Sequence, residues 1–228
     1  MIKTVFFDLD DTLLDFRKAE AAAVARVLRE AGIEPTEAVV QRYHELNIAQ
    51  WELLEEGKLT REQVLLRRFD LLFEELGVVR SSREICDRYE GYLGQGHFFI
   101  PGAPEVLKQL APKYDLYLAS NGSAAVQRGR LESAGIRGYF KDMFVSENMR
   151  ANKPSPAFFE ACFAAIPDFS RETAIIVGDS LTSDIRGGIG AGIRTCWFNP
   201  HGKPQRPDIV PDCQIESLTQ LPALVETL

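Results

Sequence analysis

The sequence predicts an α/β protein, a parallel sheet with helices on both faces and a helical bundle inserted behind the first strand. Three observations carry that expectation. Short apolar runs alternate with helical stretches from about residue 100 onward, and strands separated by helices join through right-handed crossovers into a parallel sheet. Residues 16–95 break the rhythm, because helical patterns follow one another there with no strand between them. The first apolar run stands ahead of that segment, so the bundle interrupts the sheet-forming chain.

Taken in order, the strand runs are VFFDLD (5–10), DLYLASNG (115–122), DMFVSE (142–147), TAIIVGDS (173–180) and RTCWFN (194–199). Each is apolar along its length and ends in turn or polar residues, as buried strands do. The helices between them are punctuated by Pro104 near the start of APEVLKQL, Gly135 after AVQRGRLESA, Pro156 before AFFEACFAA and Gly192 after SDIRGGIGA. Proline suits a first helical turn and glycine the position past the last one. In the insert, FRKAEAAAVARVLREAG closes on Gly32 and EAVVQRYHELNIAQWELLEEG follows. Thr60 with Gln63, and Ser81 with Glu84, give capping-box patterns. Val24, Val27, Leu28 and Ala31 fall at helical spacing and predict a shared buried stripe. The expected division is 1–15 with 96–228 for the α/β core and 16–95 for the helical insert. The Pro-rich stretch NPHGKPQRPDIVPDC (199–213) reads as a surface loop before a final strand and helix.

Composition narrows the function. At 228 residues, with 45% hydrophobic and 26% charged residues, the chain reads as a globular protein of one core plus a subdomain. No apolar run reaches the length of a membrane span, so no membrane partner is expected. Asp8 interrupts the N-terminal apolar run, which argues against a secretion signal and for the cytoplasm. Cys86, Cys162, Cys196 and Cys213 are scattered without a C-x-x-C pair, unlike a zinc site or disulfide frame. A net charge of −7 argues against a nucleic-acid surface. Any phosphate must then be captured locally.

The chemistry is concentrated at strand ends, where α/β sheets bind ligands. Asp8, Asp10 and Asp11 follow directly on VFF, and like charges so close need a cation, a shared proton or open water. Asp8 and Asp10, two apart in extended backbone, point to one side. An EF-hand loop counted from Asp8 wants Gly at 13 and Glu at 19, where the chain has Leu13 and Ala19. Ser120-Asn121-Gly122 ends the second run, Lys153 precedes a Pro-led helix, and Asp179 and Asp184 bracket the turn after TAIIVG. Singly, each has a plain reading: Ser120 as a helix cap, Lys153 as a surface lysine, Asp184 as a first-turn acid.

Together, D-L-D-D-T, S-N-G, K-P and G-D-S-L-T-S-D, in this order and at these places, resemble the motifs of the haloacid dehalogenase superfamily. The resemblance covers 1–14 and about 96–228, and the insert at 16–95 matches the position of a helical cap. It implies a Rossmann-like core and a Mg²⁺-dependent phosphomonoester hydrolase, with Mn²⁺ or another divalent cation as the alternative. Asp8 is then the nucleophile that forms an aspartyl-phosphate. Asp10 serves as general acid and then base, while binding the metal through its carbonyl. Asp8, Asp10 and Asp179 hold the metal. Ser120, Asn121, Gly122 and Lys153 hold the phosphate, and Asp184 supports Lys153 and metal-bound water. The second acid, Asp10, favours a phosphatase over a dehalogenase, since halide leaves without a proton. A sugar-phosphate mutase and a non-catalytic phospho-ligand module remain as alternatives. WELLEEGKLTREQVLLRRF (51–69), NGSAAVQRGRLESAGI (121–136) and TCWFNP (195–200) are similar to the pyrimidine 5′-nucleotidase branch. That branch implies a nucleoside monophosphate as substrate, a phosphatase of another small metabolite being the alternative, and a monomer or homodimer as the assembly. Phe16, Tyr43, Trp51 and Phe98 are candidates to stack on the base, and Trp51, Leu54, Leu65 and Phe69 equally suit a bundle core. The insert is also expected to close over the phosphate site on hinges near 15 and 96–101.

Overall fold

The computed structural model describes residues 1–228. It divides into two compact units, Met1–Asp15 with Phe98–Leu228, and Phe16–His97. The second crossing between them falls after His97, where the sequence reading places it after Gln95.

In the first unit, strands β1 (Thr4–Phe7), β2 (Asp115–Ser120), β3 (Asp142–Val145), β4 (Ala174–Gly178), β5 (Arg194–Phe198) and β6 (Cys213–Ile215) form one parallel sheet in the order β3-β2-β1-β4-β5-β6. All of β1 is buried, Val5 and Phe7 in one hydrophobic cluster and Phe6 in another. That alternation is what a strand covered on both faces requires. The helices α5 (Ala103–Leu110), α6 (Ala124–Ser133), α7 (Ser146–Met149), α8 (Pro156–Ala165), α9 (Arg186–Ala191) and α10 (Leu221–Thr227) lie between and after the strands. Chain order reverses between β1 and β4, and the crevice beyond such a reversal is where ligands of open α/β sheets sit.

The 199–213 stretch is more than a surface loop. It carries an Arg206–Ile209 bridge, and Ile209 is buried beside Trp197 and Ile185.

The second unit holds α1 (Phe16–Glu30), α2 (Glu37–Glu55), α3 (Arg61–Leu76) and α4 (Ser82–Leu93). Val24, Val27 and Leu28 are buried as their spacing predicts, whereas Ala31 lies past the end of α1. Thr60 and Gln63 make the full reciprocal cap, with Gln63 N donating to Thr60 Oγ1 at 3.3 Å and Thr60 N to Gln63 Oε1 at 2.8 Å. At Ser81 only the Ser half forms. Tyr43 is fully buried against Phe69 and Tyr89, with ring centroids 4.9 and 5.5 Å away. It packs the bundle and is withdrawn from the stacking candidates. Leu54 and Phe69 are buried too, while Phe16, Trp51 and Leu65 are half-buried and Phe98 is exposed.

Candidate active site

Because β1 stops at Phe7, Asp8, Asp10 and Asp11 lie in the loop leaving the carboxyl edge of the sheet. Extended geometry ends before them, so the two-residue spacing does not set the relative direction of Asp8 and Asp10. Asp8 is anchored by its N–H, which donates to Val177 O of β4 at 2.9 Å. Lys153 meets its side chain there, with Nζ donating to Asp8 Oδ1 at 2.7 Å, Asp184 Oδ1 at 2.6 Å and Ala119 O at 2.6 Å. An ammonium has three donors, and all are spent on protein oxygens. Lys153 thus contacts the nucleophile candidate and Asp184 at once. Burial opposes its charge, but Asp184 and Asp8 outweigh burial and hold the ammonium above the usual lysine range. Burial also pushes Asp8 well above the usual carboxylate range; Lys153 opposes that rise while Asp184, Asp10 and Asp179 add to it.

At the end of β4, a Cβ on Gly178 would collide with the Asp184 carboxylate. Glycine is what lets that side chain fold in beneath the strand end. Asp184 is buried, and its Oδ2 accepts from Ser180 N at 3.1 Å. Asp179 is fixed through its backbone, its N–H donating to Thr12 Oγ1 at 3.1 Å and its carbonyl accepting from Trp197 Nε1 at 2.9 Å. Burial pushes its carboxyl up to about 7; Asp184 adds to the rise and Lys203, 3.2 Å from Oδ2, opposes it.

On the other flank of β1, Ser120 Oγ accepts from Gly122 N at 3.1 Å and Gln127 Nε2 at 2.8 Å. The Asn121 side chain donates to Lys153 O at 2.9 Å and accepts from Lys153 N at 2.8 Å. It staples the lysine segment to the end of β2. At the start of α6, Ala124 N donates to Glu147 Oε2 at 2.7 Å. Two N–H groups at this turn thus have partners inside the protein. The Asp10 carboxylate is held from α6: its Oδ2 accepts from Gln127 Nε2 at 2.7 Å and its Oδ1 is ion-paired with Arg130.

The carboxylate oxygens that gather within 4.8 Å of one another belong to Asp8, Asp179 and Asp184. The expected metal set shares Asp8 and Asp179 with this cluster and takes Asp10 through its backbone carbonyl, which a grouping of side-chain oxygens does not include; the carboxylate added here is that of Asp184, expected in a supporting role. The Asp10 carboxylate is engaged by Gln127 and Arg130 of α6. Thr12, Gln127, Arg130 and Lys203 are neighbours that the sequence reading leaves out. Gln127 and Arg130 had a visible signal, since they share the buried face of α6 with Val126 and Leu131, polar residues on an otherwise apolar stripe. Lys203 sits in a Pro-rich loop without periodicity.

A parallel sheet whose carboxyl edge collects a buried lysine and a cluster of acids from separate loops defines the class of enzyme. The family model for haloacid dehalogenase-like hydrolases matches residues 2–192, and the chain belongs to that family. It is similar to the HAD-hydrolase YfnB of Bacillus subtilis, 40% identical over 96% of this chain and 93% of that one. The crystal structure of YfnB bound to magnesium superposes with a TM-score of 0.94 at 39% identity, covering 98% of both chains. The pyrimidine 5′-nucleotidase PynA of Streptococcus pneumoniae is 38% identical over 96% of this chain and 93% of its own length. The pyrimidine 5′-nucleotidase YjjG of Escherichia coli is 30% identical over 97% and 96%. No helix is long and apolar enough to cross a membrane.

Proposed function

We propose that the protein is a divalent-metal-dependent phosphatase that works through an aspartyl-phosphate on Asp8 and takes pyrimidine nucleoside 5′-monophosphates. One observation carries the chemistry: Asp8 is held by Lys153 beside Asp184, while the Asp10 carboxylate is held by Gln127 and Arg130 of α6. Two acids of one loop in such different surroundings suit two different roles. A halide would leave without a proton and give Asp10 no task, so this arrangement favours a phosphate ester over a haloacid.

Three carboxylates within 4.8 Å make a hard, all-oxygen donor set, which fits Mg²⁺ or Mn²⁺. When bound, the cation neutralises negative charge on the phosphoryl group and on the acids that hold it. The residues of the chain account for the rest. Lys153 aims the Asp8 carboxylate, Ser120 and the turn to Gly122 take phosphoryl oxygens, and Asp8 attacks phosphorus as the ester bond breaks. The Asp10 carboxyl gives its proton to the departing alkoxide. Water then attacks the aspartyl-phosphate, Asp10 takes back a proton, and Asp8 and inorganic phosphate are released.

The pyrimidine preference rests on the similarity to PynA and YjjG. The test is kcat/KM with Mg²⁺ for UMP, dUMP and dTMP against AMP, GMP, glucose 6-phosphate and phosphoglycolate. Pyrimidine nucleotides should lead by at least about tenfold, worth about 1.4 kcal/mol of transition-state binding. Purine nucleotides or sugar phosphates ahead would remove the pyrimidine reading and leave a phosphatase. No phosphate release from any of them, with chloride release from 2-chloropropionate, would overturn both.

A further inference from the structure

Asp10 stands on a loop, bridged through its backbone to Leu14, and its side chain is 28% exposed. Its carboxylate is fixed from α6. Arg130, 0% exposed, pairs with Oδ1, and Gln127, 1% exposed, donates to Oδ2 at 2.7 Å. A buried guanidinium requires a counter-charge, and Asp10 supplies it. Gln127 uses its two amide hydrogens on different segments, one on Asp10 and the other on Ser120 Oγ at the end of β2, 2.8 Å away. Its Oε1 faces Arg130 Nη1 at 3.4 Å, which sets the amide orientation. Gly122 belongs to the same device, because a Cβ there would occupy the space of the Gln127 side chain.

We propose that Gln127 and Arg130 are positioning residues for Asp10, a clamp that holds its carboxylate in place to take the proton from the water that cleaves the aspartyl-phosphate. The inference rests on the phosphatase reading above. A carboxylate offers about four lone-pair sites. The clamp occupies one on each oxygen, leaving the others directed but open. In the step concerned, the water oxygen bonds to phosphorus, the Asp8 oxygen–phosphorus bond breaks, and the water proton passes to Asp10. Misplacing a catalytic group by about 1 Å costs on the order of 10²-fold. A loosened clamp should therefore slow this second step and spare the first wherever the leaving group departs without help.

The experiment is rapid-mixing kinetics with p-nitrophenyl phosphate and Mg²⁺ on wild type, Gln127→Met, Arg130→Met, Arg130→Lys and Asp10→Asn. Nitrophenolate departs with little need for protonation, so the burst reports attack by Asp8 and the steady state reports hydrolysis. Gln127→Met and Arg130→Met should slow the steady state by about tenfold or more and the burst by less than about threefold, with accumulated phosphoenzyme. Arg130→Lys, which retains a charged donor, should recover most of the loss. Adding Gln127→Met to Asp10→Asn should change the steady state by less than about twofold. Parallel loss of burst and steady state, or full additivity with Asp10→Asn, overturns the clamp. Should Arg130→Met fail to fold, Gln127→Met and Arg130→Lys decide, because the ratio of the two phases is independent of the folded fraction. If Asp10→Asn itself lacks the split, the proton role of Asp10 fails; if it shows the split and the α6 variants do not, only the clamp fails.

Discussion

In the helical unit Glu20, Asn47 and Arg68 are buried together, much as Asp8, Lys153 and Asp184 are buried in the α/β unit. Asn47 links the two charges of the helical network. Its Nδ2 donates to Glu20 Oε1 at 2.7 Å, and its Oδ1 accepts from Arg68 Nη1 at 2.9 Å and Trp51 Nε1 at 3.0 Å. His44 Nδ1 meets the other Glu20 oxygen at 2.5 Å, and Arg68 lies over Tyr89 at 4.8 Å from the ring centroid. Arg68 completes its bonding with Leu65 O at 3.2 Å and Cys86 Sγ at 3.7 Å. In the α/β unit the acids outnumber the cations, with Lys153 shared between Asp8 and Asp184 and Asp179 facing Lys203. A balanced network serves to fix one packing of helices, and a surplus of acids at one strand edge suits the divalent cation proposed above.

The sharpest way to break that contrast is Asp8→Asn. Turnover should fall by at least about 10⁴-fold, because no covalent route remains, while the melting temperature changes little. Appreciable phosphate release from the folded variant would return the surplus acids to a structural role. Arg68→Ala should do the reverse. It leaves Glu20 buried without its distant counter-charge and should cost about 3–5 kcal/mol in urea unfolding, with the Mg²⁺ requirement of the remaining folded enzyme unchanged. A loss below about 1 kcal/mol would mean the helical network contributes nothing to stability.

A smaller effect separates the two networks by pH. Folded Asp179 keeps its proton up to about 7, against a reference value of 3.8. Between those values the folded chain binds more protons than the unfolded one, so stability falls as pH rises through that window. Asp8, also raised, acts with the same sign. In EDTA the melting temperature should drop by roughly a few degrees between about pH 5 and about pH 8. Excess Mg²⁺ should remove the drop. Asp179→Asn should flatten it and raise the Mg²⁺ concentration needed for turnover.

Much of this was legible in the sequence wherever a local rule decided the outcome. The apolar runs gave the strands of a parallel sheet, and Thr60 with Gln63 gave a helix start. Acids placed at strand ends lay near one another because parallel topology brings all carboxyl ends to one edge. What stayed hidden depended on partners distant in sequence. Glu20 occupies the stripe of Val24 and Val27, and the arrival of His44 and Asn47 from another helix explains a charge there. The surroundings of the Asp10 and Asp184 carboxylates stayed hidden for a similar reason. Spacing says that both are near the edge, but Arg130 and Gln127 draw one carboxylate to α6 while the space over Gly178 admits the other.

Lys203 has a consequence for how a cation enters. Its ammonium stands 3.2 Å from Asp179 Oδ2 on a side chain 53% exposed, which makes it a tethered competitor, present at an effective concentration that dilution cannot lower. At the metal site proposed above, an incoming cation would have to displace it, which would mask part of the affinity of the acids. An exposed pair of this kind contributes less than about 1 kcal/mol, which limits the masking to a few-fold. Lys203→Ala should accordingly lower the Mg²⁺ concentration for half-maximal activity by about two- to threefold. Added monovalent salt, which screens the lysine in wild type, should have less effect on the variant.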